Sequence, residues 1–181
     1  MNRIAILALS AALFTASDAA AQKMGATNTN APEIEQAIDL GPTGRVELSY
    51  TAITWAAGRW AKTLEDEERR ERMKSRINGS AKQSPLGYFS AGRDILLGDV
   101  RVPEGDYKLG FTLDDDYAWR ITLFGADSEI HVPLGLRESP MDSKRLIVSF
   151  YAGDEDFTGG IYVAFGKQTG DIAIKAAPSE G

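Results

Sequence analysis

Residues 107–124 read YKLGFTLDDDYAWRITLF. Apolar side chains recur at every second position on both sides of the central acidic residues, first at Tyr107, Leu109, Phe111 and Leu113 and then at Trp119, Ile121 and Leu123. A period of two is typical of a β-strand that buries one of its faces. The pattern therefore predicts neighbouring strands of an antiparallel meander, with Trp119 in the core.

The same alternation continues along most of the chain. Further strands are predicted at residues 46–52, 95–97, 130–132, 146–150, 161–165 and 172–174, with turns at Pro103-Glu104-Gly105, Gly153-Asp154 and Gly166-Lys167. Residues 34–40 are predicted as the partner of the 46–52 strand, although Ile34 and Ile38 also fit a short helix. Strands at this spacing favour a mainly β protein, an antiparallel β-sandwich with a barrel as the alternative.

Residues 63–78 break this pattern and predict one charged helical excursion. Thr63 and Asp66 resemble a capping box, acidic residues fill the first turn and basic residues the last. Asn78-Gly79 is expected to end the helix. The helix has no continuous apolar stripe, so it is either a solvated excursion between strands or a lid or partner-binding arm.

The amino terminus has the order of features found in export signals. Arg3 precedes the apolar run Ile4–Phe14, and Ala19-Ala20-Ala21 follows. The run has eleven residues, fewer than the roughly 20 that a spanning helix needs. We expect a signal peptide at 1–21, a flexible leader at 22–32, a β-sandwich domain at 33–176 and a tail at 177–181. The protein is expected to be exported to the periplasm or the medium and to have no transmembrane segment.

Composition excludes several classes of function. The 181 residues include 20 basic and 26 acidic side chains, giving a net charge of −6, no cysteine and one histidine. A negative chain offers no field for phosphate backbones, so nucleic acid is not expected as a partner. Without cysteine there is no disulfide scaffold, thiolate zinc site or cysteine nucleophile.

Catalysis has few candidate residues. His131 lies between Ile130 and Val132, so a two-residue period turns it away from the core. Ser90 lies in Gly87-Tyr88-Phe89-Ser90-Ala91-Gly92, which misses the Gly-x-Ser-x-Gly elbow by one residue. The residues favour a non-catalytic protein and leave a hydrolase as an alternative.

Two acidic triplets lie between predicted strands. Asp114–Asp116 and Asp154–Asp156 could supply the oxygen ligands that calcium prefers, with Asp114, Asp116, Asp154 and Asp156 as candidate ligands. Asp154-x-Asp156-x-x-Gly159 lacks the third ligand and the closing Glu of an EF-hand. The alternative is that both triplets are solvated turns without an ion. No other cofactor is expected.

Aromatic residues outside the alternating core positions could bind a ligand. Trp55, Trp60, Tyr88 and Phe89 are candidates for a platform that holds a saccharide or a protein partner, because aromatic rings offer a large contact area at little entropic cost. The alternative is that these rings pack in the core or beneath the helix.

Residues 97–109, LGDVRVPEGDYKL, are followed ten residues later by Trp119-Arg120-Ile121. This arrangement resembles the Pro-x-Gly-x-Tyr-x-Leu strand and following Trp strand of an exported bacterial family, domain-of-unknown-function family twenty-nine-eleven. Residues 145–150, 161–166 and 171–174 are similar to its closing strands, and the resemblance covers roughly residues 45–175. The family's Trp-Arg-Thr-Gly-Ala-Asn motif has no counterpart here, since residues 84–92 occupy its place.

The resemblance implies an exported β-sandwich and no known reaction. Together with the residue patterns, it favours a non-catalytic binding or interaction module. A calcium-stabilised structural domain and a hydrolase are the alternatives.

Overall fold

The structure is a computed structural model that describes residues 30–54, 66–155 and 158–178. The predicted signal peptide at 1–21, most of the predicted leader, Trp55, Trp60, Thr63, Asp156 and the end of the predicted tail lie outside these ranges.

The described residues form ten strands and one helix. The strands are β1 (Glu33–Asp39), β2 (Arg45–Thr51), β3 (Gly87–Ala91), β4 (Ile95–Leu97), β5 (Val100–Val102), β6 (Gly105–Leu113), β7 (Trp119–Phe124), β8 (Glu129–Pro133), β9 (Arg137–Ala152) and β10 (Gly159–Ala176), and the helix is α1 (Glu67–Gln83). The segment before the predicted 46–52 strand is thus itself a strand, not a short helix.

The strands form two antiparallel sheets. The larger sheet has the order β1-β2-β3-β6-β7-β8 and the smaller has the order β5-β4-β10-β9. The edge strand β1 lies beside β9, and β8 lies beside β5. In the described ranges only the isolated bridge between Thr54 and Arg145 pairs the two sheets, so they form a sandwich and not a closed barrel. The predicted mainly β, antiparallel sandwich with one helix is confirmed.

The core lies between the two sheets and contains the alternating apolar residues. Leu109 and Leu123, which face each other on β6 and β7, are almost fully buried. Trp119 is also buried, as predicted, and its ring meets that of Phe165 edge to face, with 5.7 Å between the centroids. This contact joins the larger sheet to the smaller one in a geometry that aromatic pairs prefer.

Side chains of the larger sheet cover the free edge of β9. The amide of Gln36 donates from Nε2 to the Val148 carbonyl at 2.7 Å and accepts at Oε1 from the Phe150 amide at 3.1 Å. The hydroxyl of Tyr50 accepts from the Val148 amide at 3.0 Å. An exposed strand edge invites pairing with another chain, and these bonds use its backbone groups within the molecule.

β10 doubles back along its length. The Thr169 hydroxyl donates to the Val163 carbonyl, six residues earlier, at 3.1 Å, whereas a straight strand would separate these residues by about 20 Å. Gly166 lies between them with φ of 54°, a backbone conformation that glycine adopts readily. The turn predicted at Gly166-Lys167 coincides with this bend. β10 pairs with β9 on both sides of the bend, from Gly159 to Thr169, and its end pairs with β4.

The helix α1 lies on the outer face of the larger sheet. Ala81 is fully buried over Gly110, where an added Cβ would lie 2.9 Å from the Ala81 methyl group. The Asn78 side chain donates to the Leu113 carbonyl at 2.9 Å and accepts from the Leu113 amide at 2.8 Å. Lys82 forms an ion pair with Glu129 of β8 at 2.6 Å. No described helix is long and apolar enough to cross a membrane.

Both predicted ends of this helix are wrong. Asp66 is extended and caps the helix by accepting from the Arg69 amide at 2.9 Å, so the helix begins at Glu67 and not at residue 63. It continues past Asn78 and Gly79 to Gln83, because the Asn78 amide bonds to the sheet and Gly79 does not adopt a positive φ. A glycine ends a helix only where it takes the left-handed conformation.

Candidate functional site

The predicted aromatic platform is not assembled as expected. Tyr88 is 49% exposed and lies on the outer face of β3, between Ser49 and Lys108 of the neighbouring strands. Phe89 is 2% exposed and belongs to the core. Successive side chains of a strand point to opposite faces, so the prediction that Phe89 shares an exposed surface with Tyr88 is wrong. Trp55 and Trp60 lie outside the described residues.

Asp114 organises the loop in which it lies. Its carboxylate Oδ1 accepts from the backbone amides of Asp116 and Ala118, both at 2.9 Å. Asp115 forms an ion pair with Lys74 of the helix at 2.6 Å, and this contact lowers the pKa of the Asp115 carboxyl group. The first acidic triplet is therefore engaged in holding its own loop and fixing it to the helix.

The two acidic triplets lie at opposite ends of the sandwich. The loop that carries Asp114 follows β6 at the end of the larger sheet where β2 finishes. The turn that carries Asp154 leads to Gly159, which packs against Ile38 and Leu40 where β1 finishes. β1 and β2 are antiparallel, so Asp114 and Asp116 cannot share an ion with Asp154.

Within residues 30–54, 66–155 and 158–178, no group of three histidine, aspartate or glutamate side chains could hold a metal ion. Asp156 lies outside these ranges. Calcium binding at either loop stays a prediction.

His131 lies in a hydrogen-bonded row that crosses three strands. A bond of 3.0 Å joins its Nδ1 to the Thr122 hydroxyl, and Thr122 shares a bond of 2.6 Å with the Thr112 hydroxyl. Burial is the main cause that lowers the pKa of His131; Arg120 lowers it further and Glu129 opposes the shift.

This row does not support hydrolysis. Thr122 is fully buried, so its hydroxyl cannot reach a substrate although it bonds to a histidine. Ser90 lies on β3 opposite Asp106, and β6 and β7 separate it from His131 on β8. The arrangement of base and nucleophile that a serine hydrolase needs is therefore not formed by Ser90 and His131.

A different aromatic surface lies on the outer face of the smaller sheet. Tyr151 of β9 is 41% exposed and lies opposite Gly160 of β10. A Cβ added at Gly160 would lie 2.2 Å from Cζ and 2.6 Å from Cε1 of Tyr151. The tyrosine ring thus covers the backbone of Gly160, and only a glycine leaves room for it there.

Other apolar residues share the outer face of the sheet with this ring. Ile147 is 40% exposed and lies opposite Ala164. Tyr162 is half-buried and lies opposite Ser149, between the other two pairs. We call the surface formed by Ile147, Tyr151 and Tyr162, with the Gly160 backbone beneath the Tyr151 ring, the tyrosine face.

Three charged groups act on the pKa of the Tyr151 hydroxyl. Arg137, at the start of β9, forms an ion pair with Asp171, which β10 brings back to this part of the sheet by doubling back. Burial is the main cause that raises the pKa of Tyr151; Asp171 and Asp154 raise it further and Arg137 opposes them. The Arg137–Asp171 ion pair is partly exposed and offers both a donor and an acceptor on its surface.

The residue patterns contained a signal for this surface. Tyr151 and Tyr162 alternate with the core residues Phe150, Ile161 and Val163, so a two-residue period turns both tyrosines outward. The patterns do not predict that Tyr151 pairs with Gly160, or that the bend in β10 brings Asp171 next to Arg137.

A second polar cluster fixes the helix to the β6–β7 loop. Tyr117 has a positive φ of 60°, and its hydroxyl donates to Glu71. The Arg70 guanidinium lies 5.0 Å and the Lys74 ammonium 5.6 Å from the centroid of its ring. These contacts hold the charged half of the helix against the sandwich.

No protein-family model, curated protein or solved structure matches this chain, and membership of the family named above stays a prediction.

Proposed function

We propose that this protein is an exported, non-catalytic binding module that holds a saccharide against the tyrosine face. The observation that carries the proposal is the ring of Tyr151, which lies over Gly160 although the residue is 41% exposed. Export rests on the predicted signal peptide at 1–21.

The position of the ring suits stacking. An aromatic ring has a negative face that attracts the weakly positive C–H groups of an apolar surface. A sugar ring presents such C–H groups on its flat side, and its hydroxyls point outward around the edge. Because the Tyr151 ring already rests on β10, little side-chain freedom is lost when a ligand stacks on it.

The neighbouring ion pair suits the hydroxyl groups of a sugar. Arg137 and Asp171 are both partly exposed, with 60% and 34% of their side chains accessible. A guanidinium donates several hydrogen bonds in one plane, and a carboxylate accepts them. Beside a stacked ring, the two groups can donate to and accept from adjacent hydroxyls of the same sugar.

A peptide added as an extra strand is less well supported. That mode of binding needs free backbone groups at a sheet edge. On β9, the strand that carries Tyr151, the amide and carbonyl of Val148 and the amide of Phe150 are already bonded to Gln36 and Tyr50. A ligand of the tyrosine face must therefore bind to side chains on the face of the sheet.

The test is binding of the chain from Gln22 onward to a panel of immobilised and soluble oligosaccharides, with four versions of the protein. We expect Tyr151→Ala to weaken binding by about tenfold or more, as for an aromatic residue at the centre of an interface. Tyr151→Trp retains a ring and should retain binding. Tyr88→Ala removes a tyrosine of similar exposure from the other sheet and is the matched control.

The proposal fails if no saccharide in the panel binds. It also fails if Tyr151→Ala binds as well as the unchanged protein, or if Tyr88→Ala loses as much affinity as Tyr151→Ala.

A further inference from the structure

We propose that the tyrosine face binds extended, uncharged oligosaccharides along β9 and prefers chains whose linkages keep successive sugar rings in one flat ribbon. This preference rests on the proposed function and specifies the class of its ligand.

The tyrosine face is longer than one sugar ring. Tyr151 and Ile147 lie on the same side of β9 and are four residues apart, which corresponds to about 14 Å along a strand. Tyr162 lies opposite Ser149, between them on the neighbouring strand, and diagonal neighbours on one face of a sheet are about 7–8 Å apart. A sugar ring is similar in width to a tyrosine ring, so one sugar on Tyr151 leaves Ile147 uncovered. Only a chain of sugars reaches both residues.

The face is also flat. The pairing of β9 with β10 is regular from Gly159 to Ala164 and its register shifts only beyond Ala164. The Tyr151 ring lies across the backbone of β10, over Gly160, instead of standing upright on β9. The neighbouring positions Ser149 and Ala164 carry small side chains. A ligand that contacts the whole face must therefore be flat over the same length.

The linkage of a sugar chain decides whether it fits such a face. Equatorial β linkages extend a chain of glucose residues into a ribbon, in which each ring presents axial C–H groups on its flat sides. These C–H groups are attracted by the negative face of an aromatic ring. Axial α linkages bend the chain into a helix, so that successive rings turn away from a flat surface. We therefore expect the tyrosine face to select ribbon-like chains over helical ones.

The charge of the surface disfavours acidic chains. The side chains that the strand register places on this face are all uncharged, namely Ile147, Ser149, Tyr151, Tyr162 and Ala164. The whole sequence carries −6, and the field of such a charge repels a polyanion. The Ser149 hydroxyl donates to the Phe150 carbonyl at 3.3 Å, and its oxygen can still accept a hydrogen bond from a sugar hydroxyl. An uncharged sugar chain matches this surface.

The experiment is titration calorimetry of the chain from Gln22 onward with four oligosaccharides: cellobiose, cellotetraose, maltotetraose and tetragalacturonate. We expect cellotetraose to bind about tenfold more tightly than cellobiose, which is too short to reach from Tyr151 to Ile147. It should also bind about tenfold more tightly than the helical maltotetraose and the acidic tetragalacturonate. The affinity for cellotetraose should not change with salt, because salt screens only charges.

Variants along the face test where the chain lies. Ile147→Ala shortens the face at the end away from Tyr151, so it should lower the affinity for cellotetraose by about threefold and leave that for cellobiose unchanged. Tyr162→Ala removes the middle contact and should weaken binding of both. Tyr88→Ala changes the other sheet and should affect neither. Urea unfolding of each variant establishes that it is folded in the titration.

The outcomes separate this preference from the proposed function. Cellobiose, maltotetraose or tetragalacturonate binding as tightly as cellotetraose, with binding still lost in Tyr151→Ala, would overturn the preference and leave the proposed saccharide binding standing. An unchanged affinity of Ile147→Ala for cellotetraose would do the same. Binding of none of the four would overturn the preference alone if another saccharide of the panel binds, and both proposals if none does.

Discussion

Replacing Gln36 by alanine should destabilise the sandwich by about 2 kcal/mol. The substitution removes the donor to the Val148 carbonyl and the acceptor of the Phe150 amide. A buried backbone group left without a partner costs about 1–3 kcal/mol. Both bonds are partly buried, so water reaches the two groups in part and each loss lies near the lower limit.

The assay is urea unfolding of Gln36→Ala beside the unchanged protein and Gln83→Ala. Gln83 lies exposed at the end of the helix, so its replacement controls for the loss of a glutamine as such. We expect a lower midpoint for Gln36→Ala with an unchanged slope, because the slope depends on the surface exposed by unfolding. Equal midpoints for the two variants would refute the idea that Gln36 closes the edge of β9.

Gly160→Ala should weaken saccharide binding and leave the urea midpoint of unfolding nearly unchanged. The new methyl group displaces the Tyr151 ring, which is the end of a flexible side chain, and does not displace the backbone. Undiminished binding would contradict the proposal that a saccharide stacks on Tyr151. The pKa of His131 in the folded protein lies below its ordinary value of 6.5, so folding favours the neutral imidazole. The stability that His131 contributes is therefore present above pH 6.5 and is lost as the pH falls toward the folded-state pKa. Urea midpoints across this range should fall less steeply in His131→Gln, and identical pH profiles would exclude the effect. Asn78→Ala removes both hydrogen bonds to Leu113 and should lower the free energy of unfolding by about 2 kcal/mol. In this variant, backbone amides of the helix should exchange hydrogen faster than those of the strands. Uniform exchange would show that the helix does not open independently of the sheets.

The sequence predicts the core of this fold well, because burial on one face imposes a period of two. Leu109, Trp119 and Leu123 follow that period and are buried as expected. The bend at Gly166 was also foreseeable, since glycine in a turn motif marks a change of direction.

The candidate site was much harder to predict. Phe89 looked like a partner of Tyr88, but adjacent residues in a strand cannot face the same way. The surroundings of Tyr151 are set by Gly160 on the neighbouring strand and by Asp171 after the bend in β10. These neighbours follow from the register of the strands, and no local sequence pattern contains that register. The predicted carboxyl-terminal end of the helix was wrong for the same reason, because Asn78 bonds to Leu113, 35 residues away.

The hydrogen bonds between Gln36 of β1 and the edge of β9 also affect how the chain folds. Gln36 and Val148 are 112 residues apart, so the first described strand has no partner at its outer edge until most of the chain is available. Folds dominated by contacts between distant residues fold slowly, typically in milliseconds to seconds. On the predicted export from the amino terminus, Gln36 would cross the membrane before Val148, and the sandwich would then close only in the compartment on the far side.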